Sequence, residues 1–169
     1  MLVRTTRVSA FAATLAHVCQ ARLVLASRSR LPERDGWDEW RRTRGDLDPT
    51  SLRIVRVQAL EAMGAEIHVD KGYVEAECKE LRGANILMDY PSVTATEHLM
   101  ATACLAKGRT VLENVATEPE VMDVAAFLTR MGGRIWGAGT NSIEIEGVEE
   151  LGGCRHTVIP DRMEAGTFA

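Results

Sequence analysis

Two short stretches carry the residues whose types and spacing suit chemistry. They are Asp89-Tyr90-Pro91-Ser92-Val93-Thr94 and Asn114-Val115-Ala116-Thr117-Glu118-Pro119-Glu120. Each follows an apolar strand-like run and precedes a helical pattern. In α/β architectures such junctions face ligands. A helix start offers free backbone N–H groups and the positive end of a dipole, which suits an anion or a polar ligand. The simpler reading of Ser92 and Thr94 is that they cap the helix. Glu118 and Glu120 have the type for acid–base work, but carboxylates also suit a helix start. No P-loop, nucleophile elbow or GxGxxG is present, and Gly137 and Gly139 read as turn glycines. Cys19, Cys78, Cys104 and Cys154 form no CxxC pair, and His17, His68, His98 and His156 have no metal-ligand spacing. The expectation is no metal site, and scattered reduced thiols of a cytoplasmic protein.

The elements around these stretches follow from periodicity. Leu52, Val55, Leu60 and Met63 share a helical face, stopped by Gly64. Residues 65–69 and 73–78 read as strands joined by a hairpin turn at Asp70-Lys71-Gly72. Residues 84–88 read as a buried strand. Thr94-Ala95-Thr96-Glu97 fits a capping box, and Leu99, Met100, Ala103, Cys104 and Ala106 continue a helix ended by Gly108. A strand at 110–114 leads to a second helix, opened by Pro119 and closed by Gly132-Gly133. A hairpin follows, with its turn at Gly139-Thr140-Asn141 and a strand at 142–146. Residues 155–159 read as one more strand, and a helix begins near Met163. Residues 27–53 show no sustained period and read as loop or disorder.

The order β-α-β-α-β-β implies an α/β layer with two parallel crossovers, a hairpin and helices on one side. A parallel sheet of this kind is expected to need cover on its other face. The pattern also repeats: Leu60, Met63, Gly64 and Ile67 recur as Leu128, Met131, Gly132 and Ile135. One unit is complete and another only begun, whereas such repeats bury their faces against neighbours. The expectation is a piece of a larger protein, with apolar faces open to self-association. Charge is split too. Residues 1–57 hold 11 Arg, no Lys and 6 acids, a net of +5, whereas the rest is net −9. The overall −4 argues against a nucleic-acid partner. Arg4 and Arg7 precede an apolar run, but Thr14 and His17 break it and no clean cleavage site follows. No stretch nears the ~20 apolar residues of a membrane span.

Residues 58–169 closely resemble the UDP-N-acetylglucosamine 1-carboxyvinyltransferases, the enolpyruvyl transferases that open peptidoglycan synthesis. The resemblance is carried by GAEIHVDKGYVEAE, LRGANILMDYPSVTATEHLMATACLAKGRTVLENVATEPEVMDVAAFLTRMGG, IEIEGVEELGG and PDRMEAGTF, in family order and spacing. It implies an inside-out α/β barrel of β-α-β-α-β-β repeats, incomplete here, with two domains of three units in the full family fold. It also implies transfer of the enolpyruvyl group of phosphoenolpyruvate to the sugar 3′-hydroxyl, with release of phosphate and no metal or organic cofactor. Lys and Arg side chains neutralise the phosphate, and a Cys or Asp protonates the enolpyruvyl methylene.

Residue by residue, Tyr90, Pro91, Ser92 and Val93 match the family's nucleotide-sugar-binding stretch. Tyr90 departs from members that carry Lys there. Asn114 and Glu118-Pro119-Glu120 match a motif read as structural. The family's general acid, counted back from Leu60, falls on Asp46 after Gly45. The Arg-Pro-x-Asp segment beside it is not readable in residues 48–57, and residues 1–57 do not resemble the family. One reading is a disrupted reading frame before about Gln58, with Asp46 a coincidence; the other keeps Asp46 as the catalytic candidate. The division is then 1–57 unmatched and Arg-rich, 58–159 part of one enolpyruvyl transferase domain, and 160–169 the start of the passage to a second. Two alternatives remain: a non-catalytic nucleotide-sugar-binding or interaction fragment, and a relative of the enolpyruvylshikimate-phosphate synthases.

Overall fold

The computed structural model describes residues 23–26, 31–45, 48–70 and 73–167. Two sheets share a layer of helices. The first sheet has the order β1-β3-β2, with β1 Leu23–Ala26, β2 Glu66–Asp70 and β3 Tyr73–Glu77 all antiparallel to their neighbours. The tip of the expected β2–β3 turn, Lys71-Gly72, lies outside the described residues. The second sheet has the order β4-β5-β7-β6, with β4 Asn85–Leu87, β5 Arg109–Glu113, β6 Arg134–Trp136 and β7 Ser142–Glu146. β4 and β5 are parallel, and β7 runs antiparallel between β5 and β6. The two crossovers and the hairpin expected from the sequence are therefore present. The repeat is visible as topology as well: β1, β3 and β2 are ordered like β5, β7 and β6.

The helices are α1 Trp37–Arg44, α2 Pro49–Ala62, α3 Val93–Ala103, α4 Pro119–Arg130 and α5 Arg162–Thr167, with a 3₁₀ turn at Arg34–Gly36. α3 and α4 lie on one side of the second sheet. Their apolar residues Leu99, Met100, Val121 and Leu128 meet Ile86, Leu112, Ile143 and Ile145 in the main core. Gly64 and Gly132, the repeated glycines that end α2 and α4, both adopt positive φ, at 92° and 106°. At Gly147 the constraint is space, because a Cβ there would lie 1.6 Å from the Ala106 carbonyl oxygen. No helix among the described residues is long and apolar enough to cross a membrane.

Four expectations need correction. The sheet's outer face is not apolar throughout, although Leu87 of β4 and Trp136 of β6 stand 69% and 52% exposed on it. β5 and β7 alternate, sending Thr110, Leu112, Ile143 and Ile145 inward. Their outward charges pair as Arg109–Glu144 at 2.5 Å, and Arg134 of β6 reaches Glu146 at 3.3 Å. The antiparallel β7 makes the sheet mixed, and a mixed sheet can be wet on one side. Residues 155–159 form no strand, since His156 turns towards α4 and no described strand runs alongside. α3 ends at Ala103, before Gly108, because the chain turns to let the Lys107 N–H donate to the Leu81 carbonyl at 2.8 Å.

The fourth correction concerns residues 27–53. Far from being loop throughout, they include α1 and the first turn of α2. Trp37, only 4% exposed, joins Leu31, Ile54, Val57 and Ile67 in a second core. The Trp37 indole donates to the Pro32 carbonyl at 2.9 Å, and Trp40 donates to Asp48 Oδ2 at 2.9 Å. The same Asp48 oxygen accepts the Thr50 N–H at 2.9 Å and so caps α2. Two tryptophans thus order a segment whose charge pattern hides its helix.

Removing the larger one tests this. Trp37→Ala is expected to cost about 3–5 kcal/mol, the usual range for deleting a buried aromatic. A urea melt checks it; a loss below about 1 kcal/mol would show that the second core is not holding the fold.

Candidate ligand-binding junction

Residues 89–93 link the end of β4 to the start of α3 and lie at the protein surface. The Asp89 carboxylate pairs with Arg41 of α1 at 2.5 Å. Tyr90, 40% exposed, and Pro91 face solvent, while Ser92 is half-buried and Val93 packs against the main core. Ser92 is the N-cap, with φ −106° and ψ 121°, and its Oγ accepts the Ala95 N–H at 3.4 Å. The capping box expected at Thr94–Glu97 does not form: the N-cap lies two residues earlier, and its N3 residue is Ala95, which cannot return the bond. Within the same turn Thr96 is fully buried and engaged elsewhere: its hydroxyl donates to the Ser92 carbonyl at 2.8 Å and accepts the Ala116 N–H at 3.1 Å.

That second bond joins the two stretches singled out in the sequence. Asn114, at φ 57°, donates from its amide to the Met88 carbonyl at 2.6 Å, and the Met88 N–H donates to Glu113 at 3.0 Å. Asn tolerates this left-handed conformation better than other non-glycine residues. Asn114 and Thr96 thus hold both strand-to-helix junctions in one frame. Glu118 is the N-cap of α4 and makes no side-chain cap bond. Glu120 accepts two bonds from Arg162, at 2.8 and 3.2 Å, and this partner holds its carboxyl below the usual range. Both glutamates serve a helix start here, and the structure assigns them no substrate-facing geometry. Asp46, the sequence candidate for the general acid, lies outside the described residues.

Sequence reasoning missed His98, one turn along α3 from Thr94. Burial, and then the charge of Arg56 on α2, push its pKa down to about 4. Burial also pushes the Cys104 thiol up to about 12, which leaves it inert as a nucleophile.

The family model described as EPSP synthase (3-phosphoshikimate 1-carboxyvinyltransferase) matches residues 55–169, a stretch that includes both junctions. The chain belongs to this family. The match begins three residues before the Gln58 start inferred from the motifs. Curated relatives include UDP-N-acetylglucosamine 1-carboxyvinyltransferase 1 of Caldanaerobacter subterraneus subsp. tengcongensis, 54% identical over 114 residues, or 68% of this chain. The UDP-N-acetylglucosamine 1-carboxyvinyltransferase of Geotalea uraniireducens is 56% identical over the same length. The chain spans only 28% and 27% of those two relatives. Among solved structures, the enolpyruvyl transferase NikO from Streptomyces tendae aligns with a TM-score of 0.60 at 23% identity, over 68% of this chain and 30% of that one. EPSP synthase from Acinetobacter baumannii aligns at 0.53 and 20% identity, over 78% of this chain and 26% of that one. At these identities the structures speak for the fold alone. It is the enolpyruvyl transferase fold, in part.

Two outcomes are expected from these bonds. Thr96→Val keeps the shape but strands the Ala116 N–H, and should cost about 1–3 kcal/mol in a urea melt. His98 is harder to protonate folded than unfolded, so the unfolded chain binds more protons below its ordinary value of 6.5 and above about 4. Stability contributed by neutral His98 is complete above that window and is lost as pH falls through it. The urea midpoint should therefore drop from pH 7 to pH 5, and less steeply in His98→Gln; parallel profiles would sink the assignment.

Proposed function

We propose that the polypeptide to which this segment belongs transfers the enolpyruvyl group of phosphoenolpyruvate to the 3′-hydroxyl of UDP-N-acetylglucosamine. That is the first committed step of peptidoglycan synthesis, and it takes place in the cytoplasm. The observation that carries the reading is the 54–56% identity over 114 residues with relatives named for this activity. Tyr90, Pro91, Ser92 and Val93 form the contact with the nucleotide sugar. Their placement supports this: an exposed aromatic ring stands beside a helix start, the kind of terminus that suits an anionic or polar ligand. Asp46, next to Gly45, is the candidate proton donor to the enolpyruvyl methylene. Division of the chain at residues 57 and 159 belongs to the same proposal.

A binding experiment separates this activity from that of the 3-phosphoshikimate enzymes. The chain is titrated with UDP-N-acetylglucosamine and with shikimate 3-phosphate while backbone amides are followed by NMR. The nucleotide sugar is expected to shift Tyr90, Ser92 and Thr94 saturably, with no such response to shikimate 3-phosphate. The reverse pattern, or shifts confined to other elements, would remove the reading.

A further inference from the structure

Residues 155–159 have the composition of a strand, with β-branched Thr157, Val158 and Ile159 in succession. They nevertheless pair with no described strand. Among the described residues, the N–H and C=O groups of 155–160 make no backbone hydrogen bond. The segment is fastened on either side instead. His156 binds Asp123 of α4 at 2.9 Å, and Arg162 binds Glu120 at 2.8 Å. Between those anchors Val158 is 72% and Ile159 38% exposed, and Thr157 and Pro160 are exposed as well. Open backbone of strand-forming residues is a template for another strand.

The run is complementary to itself. In an antiparallel pair centred on Val158, Val158 of one copy faces Val158 of the other, and Thr157 faces Ile159. His156 then faces Pro160, and Arg155 faces Asp161. The twofold axis repeats each pair, so opposite charges meet at both ends. Arg155 is exposed. Asp161 uses Oδ1 to accept the Met163 and Glu164 N–H groups, which leaves Oδ2 for a cation. Proline fits the same register. Hydrogen-bonded pairs alternate with pairs that make no such bonds. When Thr157–Ile159 and Arg155–Asp161 are the bonded pairs, Val158–Val158 and His156–Pro160 are not. Pro160, which has no N–H, falls where none is needed.

We propose that this chain forms a twofold-symmetric dimer through antiparallel pairing of residues 155–161. The apolar contact is Val158 on Val158 and Ile159 on Thr157. The exposed Arg155–Asp161 pairs add little energy and serve to fix the register. A two-stranded ribbon is marginal in water by itself. Here His156 and Arg162 already hold the segment in each copy, which lowers the cost of ordering it. The dimer is therefore weak, and fills at the chain concentrations of an NMR sample.

Sedimentation equilibrium and amide hydrogen exchange on the whole chain, from micromolar to millimolar concentration, test this. A monomer–dimer equilibrium is expected, with the Thr157 and Ile159 N–H groups gaining protection as the dimer fills and the Val158 N–H gaining none. Arg155→Asp sets like charges opposite each other twice, and should weaken the dimer at least about fivefold. Asp161→Arg should weaken it too. An equimolar mixture of the two variants should restore it, because every pair across the axis then joins opposite charges. A wild-type chain that stays monomeric throughout would overturn the proposal. So would a dimer that protects Val158 in place of Thr157 and Ile159, or one indifferent to Arg155→Asp. Protection confined to β4 and β6 would assign the contact to exposed Leu87 and Trp136 and overturn it equally.

Discussion

Helix α2 is packed on two sides at once, and the rest of the structure depends on that. Ala59 and Met63 enter the main core beneath the second sheet, while Ile54 and Val57 enter the smaller core under the first sheet and α1. A helix that buries one stripe can be shed from its domain at the cost of that stripe. One that buries two cannot move without opening both cores. Its last turn also reaches the next element, since the Met63 carbonyl accepts the Arg82 N–H at 2.9 Å just before β4. The sheet containing β4, and the junction after it, are therefore positioned by a helix that belongs to the preceding repeat.

Where the sequence was legible, one physical rule governed a whole element. Alternation marked β5 and β7, the 3.6-residue stripe marked α3 and α4, and the recurring Leu, Met, Gly and Ile marked equivalent ends of α2 and α4 with glycines at positive φ. It misled where a residue served a distant partner. Thr94 and Glu97 looked like a capping box, yet Ser92 is the cap, and the Thr96 hydroxyl between them serves Ala116, twenty positions on. His156 sits in a run that reads as a strand, yet its ring binds Asp123 at 2.9 Å and rests 5.3 Å from Phe127. α1 was illegible for a different reason. Its mean composition is strongly polar, and two Trp side chains carry nearly all of its burial.

Of the candidate site, the sequence located the stretch at residues 89–93 but not its surroundings. Arg41 against Asp89 and Arg56 beside His98 come from segments more than thirty residues upstream. No local pattern announces such pairings, because they are made by packing. The motifs that named a ligand for the junction begin at residue 58, after both arginines, and the family match from residue 55 takes in only Arg56.

From Gly147 to Asp161 the chain crosses the molecule with no helix or strand of its own, fastened at separate points. The Val148 N–H donates to Cys104 at 2.8 Å and the Gly152 N–H to Met131 at 2.7 Å. His156 then holds Asp123, and Arg162 holds Glu120. A ladder of strand hydrogen bonds loaded along its length fails all together. Isolated fasteners in series fail one after another. A pull on α5 would reach Arg162–Glu120 first and Val148 last, so this strap would peel like a seam while the sheet beneath it stayed whole.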